Sequence, residues 1–213
     1  MSEFPKTDKT TITRLPKRGA YDKETIYAIL DEALFCTLAF VQENEPFQIP
    51  TGFCRIGNKL YIHGSVGSHY MRELAEKKLP VCISVTLMDG LVLARSAFHH
   101  SVNYRSVIIF SKAERVDDDE EIYKALEVFT NKMQPGRWDD IRQPNESEWK
   151  KTMVLAFAIE EASAKIRTGD PKDDDEDYQL NIWAGVVPLE TKRLTPIADP
   201  ALKAGVELPE YLN

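Results

Sequence analysis

The sequence is poor in residues that mark several common classes of protein. It has three cysteines, Cys36, Cys54 and Cys82, whose separations of 18 and 28 residues match no zinc-binding pair. It has 10 glycines, and neither GxGxxG nor GxxxxGK[ST] occurs, so the dinucleotide-binding and P-loop fingerprints are excluded. All three cysteines lie in apolar runs, so we expect buried free thiols in a reducing compartment.

Long apolar runs and an excess of positive charge are also missing. No uninterrupted apolar stretch approaches the ~20 residues of a membrane helix, and the N-terminal segment has no apolar secretory core. The 213 residues include 27 Lys and Arg against 34 Asp and Glu, a net charge of -7. Since nucleic-acid binding needs a basic face, we expect a protein that does not bind nucleic acid. The missing apolar segments lead us to expect a cytoplasmic protein that does not bind a membrane.

The chain divides into an arm, a domain and a tail. Residues 1–20 are a polar arm with prolines, residues 21–189 form one domain, and residues 190–213 are a tail interrupted by prolines. Within the domain, periodicity predicts helices over 21–34, 68–78 and 118–132.

The remaining pattern of the domain is that of an antiparallel sheet. Strands are predicted at 36–41, 47–56, 59–63, 81–87, 91–97, 104–113, 153–159 and 163–167, with a last extended piece at 181–189. Residues 81–87 and 91–97 are expected to form a hairpin about Gly90. Six to eight strands with short turns and no regular βα alternation predict a small antiparallel barrel with three helices packed outside it.

The stretch His63-Gly64-Ser65-Val66-Gly67-Ser68-His69 joins a predicted strand to a predicted helix. Gly64 and Gly67 would let backbone N–H groups approach a ligand, and Ser65 and Ser68 would add hydroxyl donors. The start of the helix adds unpaired N–H groups and the positive end of the helix dipole. These features predict a phosphate-binding loop. The spacing of these residues is equally compatible with an ordinary strand-to-helix turn, in which the serine only caps the helix.

Two further stretches carry candidate ligand-binding side chains. Alternation places Tyr104 and Ser106 on one face of a strand that begins with polar residues and ends with apolar ones. The polar start could contact a polar ligand, or it could be an ordinary strand start that is half-exposed to solvent. Trp183 could stack on a flat ring or pack in the core.

The four histidines and the acidic run do not predict a metal site. His99 and His100 are adjacent, so in a strand they would point to opposite faces. His63 and His69 are six residues apart across a loop. Residues 173–177 resemble the opening of a calcium loop but lack its glycine and closing glutamate, so we expect a solvated acidic loop.

Six segments in order resemble the pyridoxamine 5'-phosphate oxidase-related flavin-binding family, in particular its nitroimidazole-resistance reductase branch. They are FQIPTGF (47–53), LYIHGS (60–65), GSH (67–69), NYRSV (103–107), KIR (165–167) and WAGVVP (183–188). The resemblance spans about residues 18–189. It implies a mainly β fold with helices (α+β), a split antiparallel β-barrel that forms a homodimer and binds FMN in a cleft at the dimer interface.

The resemblance also implies which residues surround FMN. The phosphate and ribityl chain would lie at His63, Gly64, Ser65, Ser68 and His69. The flavin ring edge would meet Ile49, Pro50 and Thr51, with Tyr104 and Ser106 on the neighbouring strand and Trp183 closing the site from the partner subunit. Because redox chemistry belongs to the flavin, no catalytic side chain is assigned.

The implied activity is that of an oxidoreductase that passes hydride from NAD(P)H through FMN to a small acceptor such as a nitroaromatic compound or a quinone. Two alternatives remain open at this point. The first is a flavin-binding module without turnover. The second is a haem-binding relative that uses His63 or His69 as an axial ligand.

Overall fold

Ten strands and four α-helices form the part of the chain that the computed structural model describes, residues 2–212. Met1 and Asn213, at the outer ends of the arm and the tail, lie outside it. The helices are α1 (Lys23–Glu32), α2 (His69–Lys77), α3 (Asp119–Met133) and α4 (Glu146–Lys151). The strands are β1 (Gly19–Ala20), β2 (Phe35–Gln42), β3 (Glu45–Gly52), β4 (Cys54–Ile56), β5 (Lys59–Ser65), β6 (Pro80–Leu93), β7 (Ser101–Arg115), β8 (Thr152–Ala158), β9 (Glu161–Arg167) and β10 (Gly185–Pro188).

All the strands belong to one sheet that curves around the core. Its path is β3-β2-β6-β7-β8-β5-β4, while β9 pairs with β7, β1 with β9, and β10 with β6, and every pairing is antiparallel. The long strand β7 has β6 on one side, and β9 and then β8 on the other. The predicted antiparallel barrel with helices outside is confirmed. The sequence missed the short elements β1 and α4.

The core lies between the sheet and the apolar faces of α1 and α2. Ile26, Ile29 and Leu30 of α1 are buried at helical spacing, as are Met71 and Leu74 of α2. They pack on the inward residues of β2, β5, β6, β7 and β8. The apolar pattern that predicted these two helices therefore also identifies the faces they bury.

Residues 81–97 do not form the expected hairpin. Pro80–Leu93 is a single strand, β6, which pairs with β7 along nearly its whole length. Its register shifts between Met88 and Gly90, so the glycine marks a β-bulge rather than a turn. The chain reverses later, at a short 3₁₀ turn, Ala97–His99.

The β2–β3 hairpin carries one of the predicted site segments on the edge of the sheet. Its two-residue turn has positive φ at Glu43 (51°) and Asn44 (64°), and Gln42 lies opposite Glu45. Because β3 is the last strand on its side of the sheet path, Pro50 can lack a backbone N–H at little cost.

The arm and the tail differ in their packing. Phe4 of the arm is buried in the core, and Gly19 and Ala20 pair with β9. The tail leaves Leu194 and Ile197 almost fully exposed. Within residues 2–212, no helix has the length and hydrophobicity needed to cross a bilayer.

Candidate functional site

The glycine- and serine-rich loop joins the end of β5 to the first turn of α2. The Ser65 Oγ accepts a hydrogen bond from the Gly67 N–H at 3.0 Å, and the Ser68 N–H donates to the Ser65 carbonyl at 2.9 Å. Ser68 is the N-cap residue of α2, but its side chain makes no capping bond within residues 2–212. The Ser68 hydroxyl and the first-turn N–H groups of α2 are therefore left available to an anion.

The other three helices are capped, which shows that the free N-terminus of α2 is not a general feature of this fold. Asp22, Asp118 and Asn145 each accept a hydrogen bond from the backbone N–H three residues further on, at 2.8, 2.7 and 3.0 Å. Serine is as suitable for this role as asparagine or aspartate. Its failure to cap α2 is the structural feature expected of a helix that binds a ligand.

Gly64 has a packing role that the sequence did not reveal. A Cβ at this position would lie 2.5 Å from the Met71 Sδ, a distance that real Cβ contacts do not show. Since Met71 is fully buried, the absence of a side chain at Gly64 allows α2 to pack closely on β5. This contact holds the helix N-terminus beside the loop.

The two histidines of the loop lie in different environments. His63 is half-buried, with its ring edge-on to Phe129 at 4.5 Å, and burial lowers its pKa, so the imidazole is neutral at pH 7. His69 is exposed, and its Nε2 lies 3.1 Å from the Gln42 Nε2. Gln42 ends β2, so this contact joins the loop to the hairpin that carries Ile49, Pro50 and Thr51.

Ile49, Pro50 and Thr51 occupy the edge strand. Their partners across β2 are Leu38, Thr37 and Cys36. Along the opposite side of an edge strand, alternate backbone N–H and C=O groups have no strand partner. These groups can contact the edge of a bound ring, as the resemblance implies.

Tyr104, Ser106 and Trp183 lie near the β6–β7 connection. Tyr104 is half-buried, and the Ser106 hydroxyl donates to the Lys165 carbonyl at 3.2 Å, so its proton is already engaged. Trp183 is 68% exposed and precedes β10, whose first residue, Gly185, lies opposite Leu93 of β6. The indole is thus accessible to a ring or to a second protein chain.

A single chain places the predicted site residues at two ends of β7. Ser65 lies opposite Thr152 at the start of β8, beyond the point where Arg115 meets β8. Ser106 lies nine residues before Arg115, which is about 30 Å along a strand. The loop therefore forms one group and Tyr104, Ser106 and Trp183 form another. Ile49 and Pro50, whose register through β2 and β6 leads to Ile109 and Ile108 of β7, lie between the two groups along the strands.

A basic cleft lies at the second of these ends, and sequence reasoning missed it. Its volume is about 660 Å³, and its cationic lining residues are Arg14, Lys17, Arg18, Arg167 and Lys172. They come from the arm, the end of β9 and the following loop, so the site joins a short basic segment, residues 14–18, to cations about 150 residues further along the chain. Among the described residues of the lining, Asp170 is the single carboxylate.

His99 and His100 both line this cleft, and the expectation that they face opposite sides, which was made for a strand, does not apply to them. It assumed a strand, whereas His99 ends the 3₁₀ turn and His100 follows it. The His99 Nε2 lies 3.3 Å from the Asp174 Oδ2. These two atoms and one carboxylate oxygen of Asp177 lie within 4.8 Å of one another.

The acidic loop is not wholly solvated as expected. The carboxylate of Asp173 is fully buried and accepts hydrogen bonds from the Arg95 and Ser96 N–H groups at 3.0 and 3.3 Å. The Arg95 guanidinium also donates to it at 3.1 Å and stacks on the Tyr178 ring. These contacts fix the loop beside the cleft.

A second, larger groove of about 1150 Å³ has mainly apolar walls. Phe40, Phe47, Val81 and Phe110 contribute them from β2, β3, β6 and β7. Phe40 stacks on Phe47 at 5.7 Å, and on the other side on Tyr70 of α2. The groove therefore adjoins the element that carries the phosphate-type loop.

The antiparallel sheet curved around its core, with helices packed outside it, defines the chain as a split-barrel protein. Residues 22–166 match the family described as pyridoxamine 5'-phosphate oxidase, and the chain belongs to this flavin-binding family. The resemblance read from the six sequence segments is confirmed. Among curated proteins, no sequence matches significantly.

Two solved structures are similar over almost the whole chain. The flavocytochrome Anf3 from Azotobacter vinelandii is 37% identical, with 97% of this chain and 95% of that chain covered and a TM-score of 0.90. An FAD and haem binding protein from Mycobacterium smegmatis is 38% identical, with 91% and 95% covered and a TM-score of 0.86. Both similarities extend well beyond the segment matched by the family.

A candidate 5-nitroimidazole antibiotic resistance protein from Bacteroides thetaiotaomicron is a more distant relative. It is 21% identical, with 70% of this chain and 86% of that chain covered and a TM-score of 0.58. This similarity shows a common fold, the split barrel predicted from the sequence.

Proposed function

We propose that the protein is a flavin-dependent oxidoreductase that holds the flavin phosphate in the loop between β5 and α2. The observation that carries this proposal is the uncapped N-terminus of α2, with the Ser68 hydroxyl unbonded beside it. Membership of a flavin-binding family supports a flavin as the ligand. The donor set fits a phosphate, since it combines two hydroxyls with the positive end of a helix.

When bound, the flavin supplies hydride and electron transfer. The residues of this chain bind and orient it. Ser65 and Ser68 donate hydroxyl hydrogen bonds to the phosphate, and His69 can donate a further one. The exposed edge of β3 at Ile49 and Thr51 meets the ring through backbone groups.

FMN is the flavin that the sequence resemblance implies, whereas the printed name of the Mycobacterium smegmatis relative specifies FAD. The proposed loop grips the phosphate that follows the ribityl chain, and FMN and FAD share that phosphate. Loading the protein with each flavin and measuring both dissociation constants decides between them. Equal affinities would show that the adenylate half makes no contact.

A homodimer is part of the proposal, because Ser65 in the loop lies far from Tyr104 and Ser106 along the strands of one chain. Antiparallel packing of two copies would bring Tyr104, Ser106 and Trp183 of one copy towards the loop of the other. Exposed apolar side chains near this end of the sheet support a partner there: Met88, Phe98, Ile182 and Trp183. Sedimentation of the flavin-loaded protein as a monomer would contradict this arrangement.

The function is tested by the visible spectrum and by anaerobic reduction. We expect a yellow protein whose flavin absorbance is bleached by NADH or NADPH and restored by a quinone or a nitroaromatic acceptor. Bleaching without acceptor-dependent recovery would support the flavin-binding module without turnover. A colourless protein that binds neither flavin in a titration would overturn the whole proposal.

A second candidate function is haem binding beside the flavin. The two relatives described above at 37% and 38% identity are named for a flavocytochrome and for FAD and haem binding. His69 is the better placed of the two loop histidines, because it is exposed while His63 is packed against Phe129. We expect a Soret band in cells grown with haem, lost in His69→Ala and kept in His63→Ala. Flavin absorbance with no Soret band would exclude this second function.

A further inference from the structure

Three side chains of metal-binding type converge beside the basic cleft, on two segments that are far apart in the chain. The His99 Nε2, one carboxylate oxygen of Asp174 and one of Asp177 all lie within 4.8 Å of one another. His99 ends the 3₁₀ turn after β6, and the two aspartates belong to the acidic loop after β9. Among residues 2–212, no other three histidine, cysteine or acidic side chains converge in this way.

The contact between His99 and Asp174 fits a shared ion better than it fits a hydrogen bond. The His99 Nε2 lies 3.3 Å from the Asp174 Oδ2, whereas an N–H···O bond is usually about 2.9 Å long. This nitrogen is shielded from solvent, yet it has no hydrogen-bond partner within the described part of the chain. Two ligands of a tetrahedral ion with bonds of about 2.0–2.1 Å are roughly 3.4 Å apart. The observed distance therefore suits neighbouring positions around one metal ion.

The acidic loop is held in place by a contact that leaves the three ligands free. The buried Asp173 carboxylate accepts hydrogen bonds from the Arg95 and Ser96 N–H groups at 3.0 and 3.3 Å, and from the Arg95 guanidinium at 3.1 Å. Asp173 directly precedes Asp174 in the loop. Ser96 lies three residues before His99, so this contact holds the two ligand-bearing segments together. The ligands are thus brought together by neighbouring groups, as a prearranged site requires.

The local charge of the loop favours a cation. Its residues 173–177 are all acidic, and the two cations beside them are Arg95, which pairs with Asp173, and Lys172. Asp175, Glu176 and Asp177 form no ion pair with any residue from 2 to 212. The loop therefore keeps an excess of negative charge that a divalent ion would offset.

We propose that His99, Asp174 and Asp177 bind a divalent transition-metal ion such as Zn²⁺. Zn²⁺ takes both imidazole nitrogen and carboxylate oxygen as ligands, whereas Mg²⁺ and Ca²⁺ prefer an all-oxygen shell. Three protein ligands leave a fourth position for water or a small molecule. The inference does not rest on the proposed function, since it involves no flavin contact.

Isothermal titration of the metal-free, full-length protein with Zn²⁺ tests the site, and Mg²⁺ is the comparison ion. Asp174→Asn/Asp177→Asn, the ligand variant, removes two ligands and two charges. Asp175→Asn/Glu176→Gln removes two charges from the same loop but no ligand, so it is the matched control. Both keep Asp173 and its contacts, so the loop should stay folded.

We expect Zn²⁺ affinity to fall at least about tenfold in the ligand variant and in His99→Ala, because each lacks groups that bind the ion. In the matched control it should fall less than about threefold, because exposed charges act weakly. No Zn²⁺ binding by the parent protein would overturn the inference. Equal losses in the ligand variant and the control would do so too, since the loop would then attract the ion by charge alone. Mg²⁺ binding as tight as Zn²⁺ binding, or unchanged Zn²⁺ affinity in His99→Ala, would rule out the imidazole as a ligand and with it the proposed site.

Discussion

Replacing Ser68 by alanine separates a ligand-binding serine from a helix-capping one. A capping serine contributes about 1 kcal/mol to stability through its bond to a backbone N–H. Ser68 makes no such bond, so Ser68→Ala should change the free energy of unfolding of the flavin-free protein by less than about 0.5 kcal/mol. A hydrogen bond to a charged phosphate contributes about 1.5–3 kcal/mol, so flavin affinity should fall about ten- to hundredfold.

Asp118→Ala is the matched control, because Asp118 caps α3 with a bond of 2.7 Å to the Glu121 N–H. It should cost about 1 kcal/mol of stability and leave flavin affinity unchanged within about twofold. Urea unfolding of the flavin-free variants gives the stabilities, and quenching of flavin fluorescence gives the dissociation constants. If Ser68→Ala destabilises the protein as Asp118→Ala does and leaves flavin affinity intact, Ser68 is an ordinary cap and the reasoning is refuted.

Three further predictions concern buried groups. Burial lowers the pKa of Lys132 to about 8 from its ordinary value of 10.5, so the unfolded chain keeps this proton to higher pH than the folded one. The free energy of unfolding should therefore rise between about pH 8 and 10.5. Lys132→Met should remove that rise and add about 1 kcal/mol of stability at pH 7, as urea unfolding at several pH values would show. Gly64→Ala should lower the free energy of unfolding by about 1–3 kcal/mol, because the added Cβ meets Met71. Adding Met71→Ala to the same chain should recover part of that loss, as thermal unfolding would show. A Gly64→Ala variant as stable as the parent protein would contradict the contact. Burial raises the pKa of Cys36 to about 12, so a thiol reagent at pH 8 should label the half-buried Cys82 first, and mass spectrometry showing Cys36 labelled earlier would contradict this.

The parts of the fold that sequence predicted correctly depend on local patterns. The spacing of Ile26, Ile29 and Leu30 fixes α1, and the Glu43-Asn44 turn fixes the β2–β3 hairpin. The β6 hairpin was mispredicted because a glycine in a bulge and a glycine in a turn look alike in sequence. Which of them Gly90 is depends on β7, a strand that follows it and pairs with both flanks.

Only part of the candidate site could be predicted from the sequence, because local patterns can be recognised there whereas contacts between distant segments cannot. The phosphate-type loop is contiguous, so its glycines and serines could be read together. The basic cleft is assembled from residues some 150 positions apart, Arg14 and Arg167, which the pairing of β1 with β9 brings together. His99 and His100 lie at a 3₁₀ turn, and no periodicity in the sequence predicts that turn.

The acidic charge of the whole chain does not oppose the binding of small anions at these two places. A net charge of -7 acts over the surface as a whole, but at physiological ionic strength charges more than about 8 Å apart are largely screened. What an incoming anion meets is therefore local: the uncapped turn of α2 at one end of the barrel, and Arg167 with the other cations of the basic cleft at the other. A polyanion such as DNA would contact the acidic surface as well, whereas a small anion can contact these groups alone. The net charge of the whole sequence therefore does not decide whether the protein binds a nucleotide cofactor.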